Sequence, residues 1–241
     1  MTGVPVSFAS PSQTRAIVLD IEGTTTPVAF VYQVLFPFAR THAAPYLQRE
    51  RESAVCRAAI DQLRAEQASD RGQGLDPPVP IPDYVVWLMD RDRKSPGLKT
   101  LQGLIWQEGF RRGDLRGLVY PDVPRALERW RARGIAIYIY SSGSALAQQL
   151  LFGSTDAGDL TQFLKGHFDT AVGPKSSPDS YRIIAERLEI APQEILFLSD
   201  VAAELDAARE AGLRIALCVR PERAPSDDRN YPVIGSFDEI A

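Results

Sequence analysis

Four short apolar runs constrain the fold more than any other feature of the chain: Ala16–Leu19, Ile135–Tyr140, Glu194–Leu198 and Arg214–Val219. They are rich in β-branched and aromatic residues and show almost no polar alternation. Each therefore reads as a strand buried on both faces. The segments between them have helical spacing: Asp122–Arg133 closed by Gly134, Ala145–Phe152, Ser177–Leu188, and Ala202–Ala211 closed by Gly212. A further short strand is expected at Phe168–Val172. Strands alternating with helices give an α/β class, a doubly wound parallel sheet with right-handed crossovers.

Between the first run and the others no strand signal appears. Val28–Gln48 has helical spacing interrupted by Pro37 and Pro45, and Glu52–Gln67 is an amphipathic helix. Asp70–Asp83 is rich in Pro and Gly and reads as a linker. Asp83 is placed to cap a helix running to Arg91, and Gly97–Arg112 is another helix. The expected organisation is an α/β core of residues 1–27 and 115–241 with an all-helical cap inserted at 28–114. A block inserted right after the first strand is well placed to act as a lid. Residues 1–13, Pro/Ser-rich, are expected to be loose.

Composition excludes several classes. A formal net charge of -4 gives no basic footprint for a nucleic acid, and no apolar run is long enough to span a bilayer. The first 13 residues lack the layout of a signal peptide. Cys56 and Cys218 read as buried free thiols in a reducing cytoplasm, and His42 and His167 as structural or surface residues. A monomeric, cytoplasmic protein is expected.

The polar residues that end the strands carry the chemistry. Asp20 and Glu22 stand at i, i+2 and share one side beyond the first strand, where ligands bind in open α/β sheets. Ser141 and Ser142 follow the second long run, and Asp200 follows the third, with Glu204 after it. Lys175 sits in the loop Gly173–Pro178. Parallel strands bring these ends to one edge. Asp20 and Asp200 can hold a hard cation with room for water and a phosphate, as magnesium prefers. The two serines, at a helix start, are equally suited to capping that helix and to an anion, and Lys175 supplies a point charge.

The order Asp20-x-Glu22-Gly-Thr, Ser141, Lys175, Ser199-Asp200 resembles the four motifs of the haloacid dehalogenase-like superfamily. Longer strings look like its acireductone synthase branch, the bifunctional enolase-phosphatases of methionine salvage. They include Asp20-Ile-Glu-Gly-Thr-Thr-Thr-Pro27, Val34-Leu-Phe-Pro37, Leu98-Lys-Thr-Leu-Gln-Gly-Leu-Ile-Trp106 and Tyr140-Ser-Ser-Gly-Ser144. The resemblance implies a magnesium-dependent phosphoric monoester hydrolase. Asp20 would be the nucleophile, Glu22 the acid and base, and Lys175 and the serines the phosphate contacts. Asp20, Asp200 and Glu22 would hold Mg2+, Glu22 through its carbonyl or its side chain. The implied partner is a small phosphorylated diketone, 2,3-diketo-5-methylthiopentyl phosphate, enolised and then dephosphorylated. A phosphatase of another small ester, a metal-free dehalogenase and a silent binding module are the alternatives. In the insertion, Lys94 and Lys99 are equally compatible with a solvated face and a substrate contact, and Trp106 reads as core.

Overall fold

The computed structural model describes residues 14–222 and 231–240, so the expectation for residues 1–13 lies outside the described residues. The elements run β1 (Ala16–Leu19), α1 (Val28–Phe30), a π-helical turn (Val31–Leu35), α2 (Phe36–Arg49), α3 (Ala54–Gly72), α4 (Ile81–Asp90), α5 (Pro96–Arg112) and α6 (Asp122–Ala132). They continue with β2 (Ala136–Tyr140), α7 (Ala145–Gly153), β3 (Gly166–Phe168), α8 (Pro178–Leu188), β4 (Ile195–Ser199), α9 (Ala202–Glu210), β5 (Arg214–Cys218) and β6 (Val233–Ile234). Two compact units emerge, one of them Ala29–Arg116, the other formed by the chain on either side of it.

The α/β unit is built on a six-stranded sheet of order β3-β2-β1-β4-β5-β6, every neighbouring pair parallel. The order reverses between β1 and β4, the position where a doubly wound sheet opens a crevice beyond its strand ends. Register is explicit there: Leu19 pairs with Ile139 on one side and Leu198 on the other. Ala16, Ile17, Val18 and Leu19 are all fully buried, which a continuous apolar run requires. One face packs Val18, Phe197 and Leu217 against Tyr181, Ile184, Leu205 and Ala208 of α8 and α9.

The helical unit has its own core, with Leu47, Cys56, Leu63, Tyr84, Leu88, Leu98, Leu101 and Ile105 at its centre. Pro37 lacks the N–H that would reach back four residues, and just before it the Phe36 amide bonds five residues back to Val31. Ser95 caps α5 by accepting from the Leu98 amide at 2.9 Å, and Gly113, at φ 79°, ends it. Trp106 lies in the core and donates from Nε1 to the Leu35 carbonyl at 2.9 Å, as its apolar setting suggested.

Several boundaries differ from expectation for physical reasons. The helix expected to stop at Gln67 continues to Gly72, because buried Gln67 and Asp70 face partners beyond it. Gln67 donates to the Val79 carbonyl at 3.2 Å; Asp70 accepts from Tyr84 Oη at 2.8 Å and Arg93 at 2.6 Å. The proline-rich stretch is thus held at both ends. Asp83 is not a cap: the helix begins at Ile81 after Pro80, with Pro82 and Asp83 in its first turn. The strand expected at Phe168–Val172 is Gly166–Phe168, since Asp169 turns the chain by accepting from the Ala171 amide at 2.9 Å. No expectation covered β6, which is two residues long.

Candidate active site

Asp20 and Asp200 leave adjacent strands, β1 and β4, at the same end. The Asp20 amide extends the ladder one step by donating to the Leu198 carbonyl at 3.0 Å. The chain then turns tightly: Thr24, Thr25 and Thr26 amides all reach the Ile21 carbonyl, and Gly23 donates to the Thr26 carbonyl at 2.8 Å. Gly23, at φ +69°, lies so close to the Asp200 carboxylate that a Cβ there would collide with it. The turn is therefore shaped around Asp200. Glu22 and Asp200 are both half-buried.

Lys175 is the hub. Its side chain is 7% exposed, and it ion-pairs with Asp20 Oδ1 and with Glu204 Oε2, the latter at 2.6 Å. Burial alone would lower the ammonium pKa, but the charges of Asp20 and Glu204 outweigh it and hold the group protonated. Burial and then the neighbouring Asp20 charge push Glu204 above the ordinary carboxylate range, against the pull of Lys175. Ser199 Oγ stands 3.2 Å from Asp20 Oδ2 and 2.9 Å from Glu204 Oε2 and accepts from the Val201 amide at 3.1 Å. Its single proton serves one carboxylate at a time. Three consecutive carbonyls fix the lysine loop. Gly173 accepts from Tyr140 Oη at 3.0 Å, Pro174 from Ser180 Oγ at 2.8 Å and Lys175 from Tyr181 Oη at 2.7 Å.

The Ser141–Ser144 loop follows β2. Ser141 is buried and accepts from the Gly143 amide at 3.2 Å; Ser142 is exposed. The helix cap is neither of them but Ser144, which accepts from the Ala147 amide at 3.3 Å. Buried Gln148 braces the loop from behind, donating to the Gly143 carbonyl at 3.0 Å and the Phe168 carbonyl at 2.8 Å. Its oxygen, which can only accept, meets His167 Nδ1 at 3.2 Å, and burial keeps that imidazole below its usual pKa.

Asp20, Ser141, Lys175 and Asp200 thus end or follow strands of one sheet, with Lys175 and Asp20 in contact. Gln148 and the Glu204–Lys175 pairing carried no sequence signal beyond helix position. Lys94 is exposed and Lys99 half-buried in the helical unit. Among the described residues no three His, Cys, Asp or Glu side chains form a ready cage for a metal. The donor chemistry nevertheless fits magnesium, which takes two carboxylates and fills its shell with water and phosphate oxygen. Asp20 and Glu204 already share one ammonium, and the Gly23 turn lies against the Asp200 carboxylate at the same end of the sheet, which gathers oxygen donors of the kind a divalent ion takes.

Residues 14–212 match the haloacid dehalogenase-like hydrolase family, and the chain belongs to it. The fold agrees: the UTR4 protein of Saccharomyces cerevisiae, of known structure, superposes with a TM-score of 0.77 at 33% identity over 93% of this chain and 99% of that one. Its relatives in the family include enolase-phosphatases. "Enolase-phosphatase E1" of Synechococcus elongatus is 46% identical, with 95% of this chain and 99% of the relative covered. The Klebsiella pneumoniae protein of the same name is 48% identical over 94% and 96%.

Proposed function

We propose that this chain enolises 2,3-diketo-5-methylthiopentyl phosphate and then removes its phosphate to give the acireductone of methionine salvage. The observation that carries the phosphoryl step is Asp20: a buried carboxylate at a strand end, one oxygen against Lys175 Nζ, the other 3.2 Å from Ser199 Oγ. That is how a nucleophile is aimed and kept in one rotamer. Asp20 attacks phosphorus, the ester P–O bond breaks, and Glu22 gives a proton to the departing oxygen. Glu22 then takes a proton from the water that hydrolyses the aspartyl-phosphate. Lys175 spends two of its three donors on Asp20 and Glu204 and offers the third to a phosphoryl oxygen. Ser141 and Ser142 receive the same phosphate. Asp20, Asp200 and Glu22 hold Mg2+, which supplies further positive charge to the phosphoryl group when bound. The helical unit enters the chain directly after this loop, which supports a lid role. The two free cysteines agree with a cytoplasmic setting, and we take the enzyme as a monomer.

Asp20→Asn separates the two reactions. Enolisation needs no nucleophile at phosphorus, so the magnesium-saturated variant should build a persistent ultraviolet-absorbing enol with no phosphate release. Absence of any enol would make Asp20 part of the first step. Phosphate release by the unmodified enzyme without an enol would favour a phosphatase of other small esters.

A further inference from the structure

Arg220 follows β5, two residues past its end, and is 4% exposed. A buried guanidinium needs several partners. Nε and Nη2 both donate to the carbonyl of Thr24, at 2.9 and 2.6 Å, and Nη1 donates to Asp122 Oδ2 at 2.7 Å and to the Gly235 carbonyl at 3.3 Å. The rings of Tyr120 and Phe237 lie 4.2 and 4.7 Å from its centre. Asp122 is held in turn by the Phe237 amide at 2.6 Å and Ser236 Oγ at 3.1 Å. The neighbouring Thr25 carbonyl accepts from the Tyr120 amide at 3.0 Å.

Thr24 belongs to the turn that carries Glu22 and Gly23. A carbonyl that takes two donors from one rigid fork has its peptide plane fixed. That plane carries the Thr25 amide, and the Thr25 carbonyl held by Tyr120 shares the next plane with the Thr26 amide; both amides close the turn on the Ile21 carbonyl. We propose that Arg220 is a positioning residue. Through Thr24 it holds the Asp20–Thr26 turn, and with it the Glu22 carbonyl and the close approach to Asp200, in the shape that receives the divalent cation. Asp122 and the Ser236–Phe237 segment keep the guanidinium aimed. The inference rests on the metal role given above to Asp20, Glu22 and Asp200.

Arg220→Lys tests it, because lysine retains a charge for Asp122 but cannot fork onto Thr24. Leu127→Ala, in the fully buried part of α6, is the comparison for general loss of stability. Outer partners of metal ligands typically change affinity or activity by roughly 10–100-fold. Arg220→Lys should raise the Mg2+ concentration for half-maximal phosphate release by that order and lower kcat. KM at saturating metal should move little. Calorimetric Mg2+ binding without substrate should weaken in parallel. Hydrogen exchange at the Thr25 and Thr26 amides should accelerate in Arg220→Lys and not in Leu127→Ala. Should Arg220→Lys not fold, Asp122→Asn, which leaves the fork on Thr24 but loosens its anchor, should shift the same quantities less. Wild-type Mg2+ affinity and exchange in whichever variant folds would reduce Arg220 to a core ion pair and overturn the inference. Failure of the unmodified protein to bind Mg2+ would instead overturn the metal assignment, while the exchange comparison would still decide whether Arg220 holds the turn.

Discussion

Asp122 shows how a single carboxylate links stability to pH. Burial alone would raise its pKa, but bonds from Arg220, the Phe237 amide and Ser236 win and leave it below its ordinary value of 3.8. A depressed carboxylate stabilises the fold above its unfolded pKa, and that contribution is lost as pH falls through the folded value. Asp122→Asn gives up a charged hydrogen bond and should cost about 1.5–3 kcal/mol at neutral pH. Melting curves of both proteins from pH 7 downwards should begin to close near the ordinary carboxylate range, about pH 4, and converge only below the depressed folded value. A gap that stays constant on acidification would mean the ion pair contributes nothing beyond shape. Lys175 has the opposite sign. Its raised pKa means its contribution persists through neutral pH and disappears only as pH rises through the folded value.

At the scale of elements, loops that present the site are held by side chains set behind them. Gln148, on α7, is the clearest case, since it donates to the Gly143 carbonyl inside the Ser141 loop and to the Phe168 carbonyl at the end of β3. Gln148→Leu keeps the volume roughly but takes the side-chain donor from the Gly143 carbonyl, a loss of about 1–3 kcal/mol for an unsatisfied group, while the Phe168 carbonyl keeps the Ser141 amide at 3.2 Å. The denaturant midpoint should fall, and inhibition by inorganic phosphate should weaken if the loop grips that anion. Unaltered phosphate inhibition would mean that the loop keeps its shape without the brace. These braces also mark the limit of what the sequence reveals. Asp20, Ser141 and Asp200 were legible because an apolar run that ends on a polar residue announces a strand end, and Lys175, in a loop, only through its order among them and its flanking Gly-Pro. Arg220 was not, because its partner Thr24 lies 196 residues away and the charge itself looks like any surface arginine. Gln148 is one polar position on an amphipathic helix, indistinguishable from its neighbours until the carbonyls it serves are placed. Boundaries failed where side chains overrode composition, as at α3, which runs into the expected linker as far as Gly72 because Asp70 bonds to Tyr84.

For the molecule as a whole, the two units differ in how far their contacts reach along the chain. The helical core of Leu47, Leu63, Leu88 and Leu101 is assembled from residues 38–105. The sheet instead needs Ala16 to meet Ala136 and Ile195, more than a hundred residues downstream. Distant pairing is slow because loop closure precedes any gain from contact. In pulse-labelled refolding, amides of α3 and α5 should therefore gain protection before those of β1. Simultaneous protection would indicate that the helical unit depends on the sheet. The central place of β1 has a further consequence during synthesis. This most buried strand leaves the ribosome first, and its neighbour β4 emerges only after nearly all the rest. At roughly 5–20 residues per second, an apolar Ile-Val-Leu run waits for about 9–36 s with one side unsatisfied. The cell must shield it for that time, and any chain cut short before β4 carries an open sheet edge at the heart of the molecule.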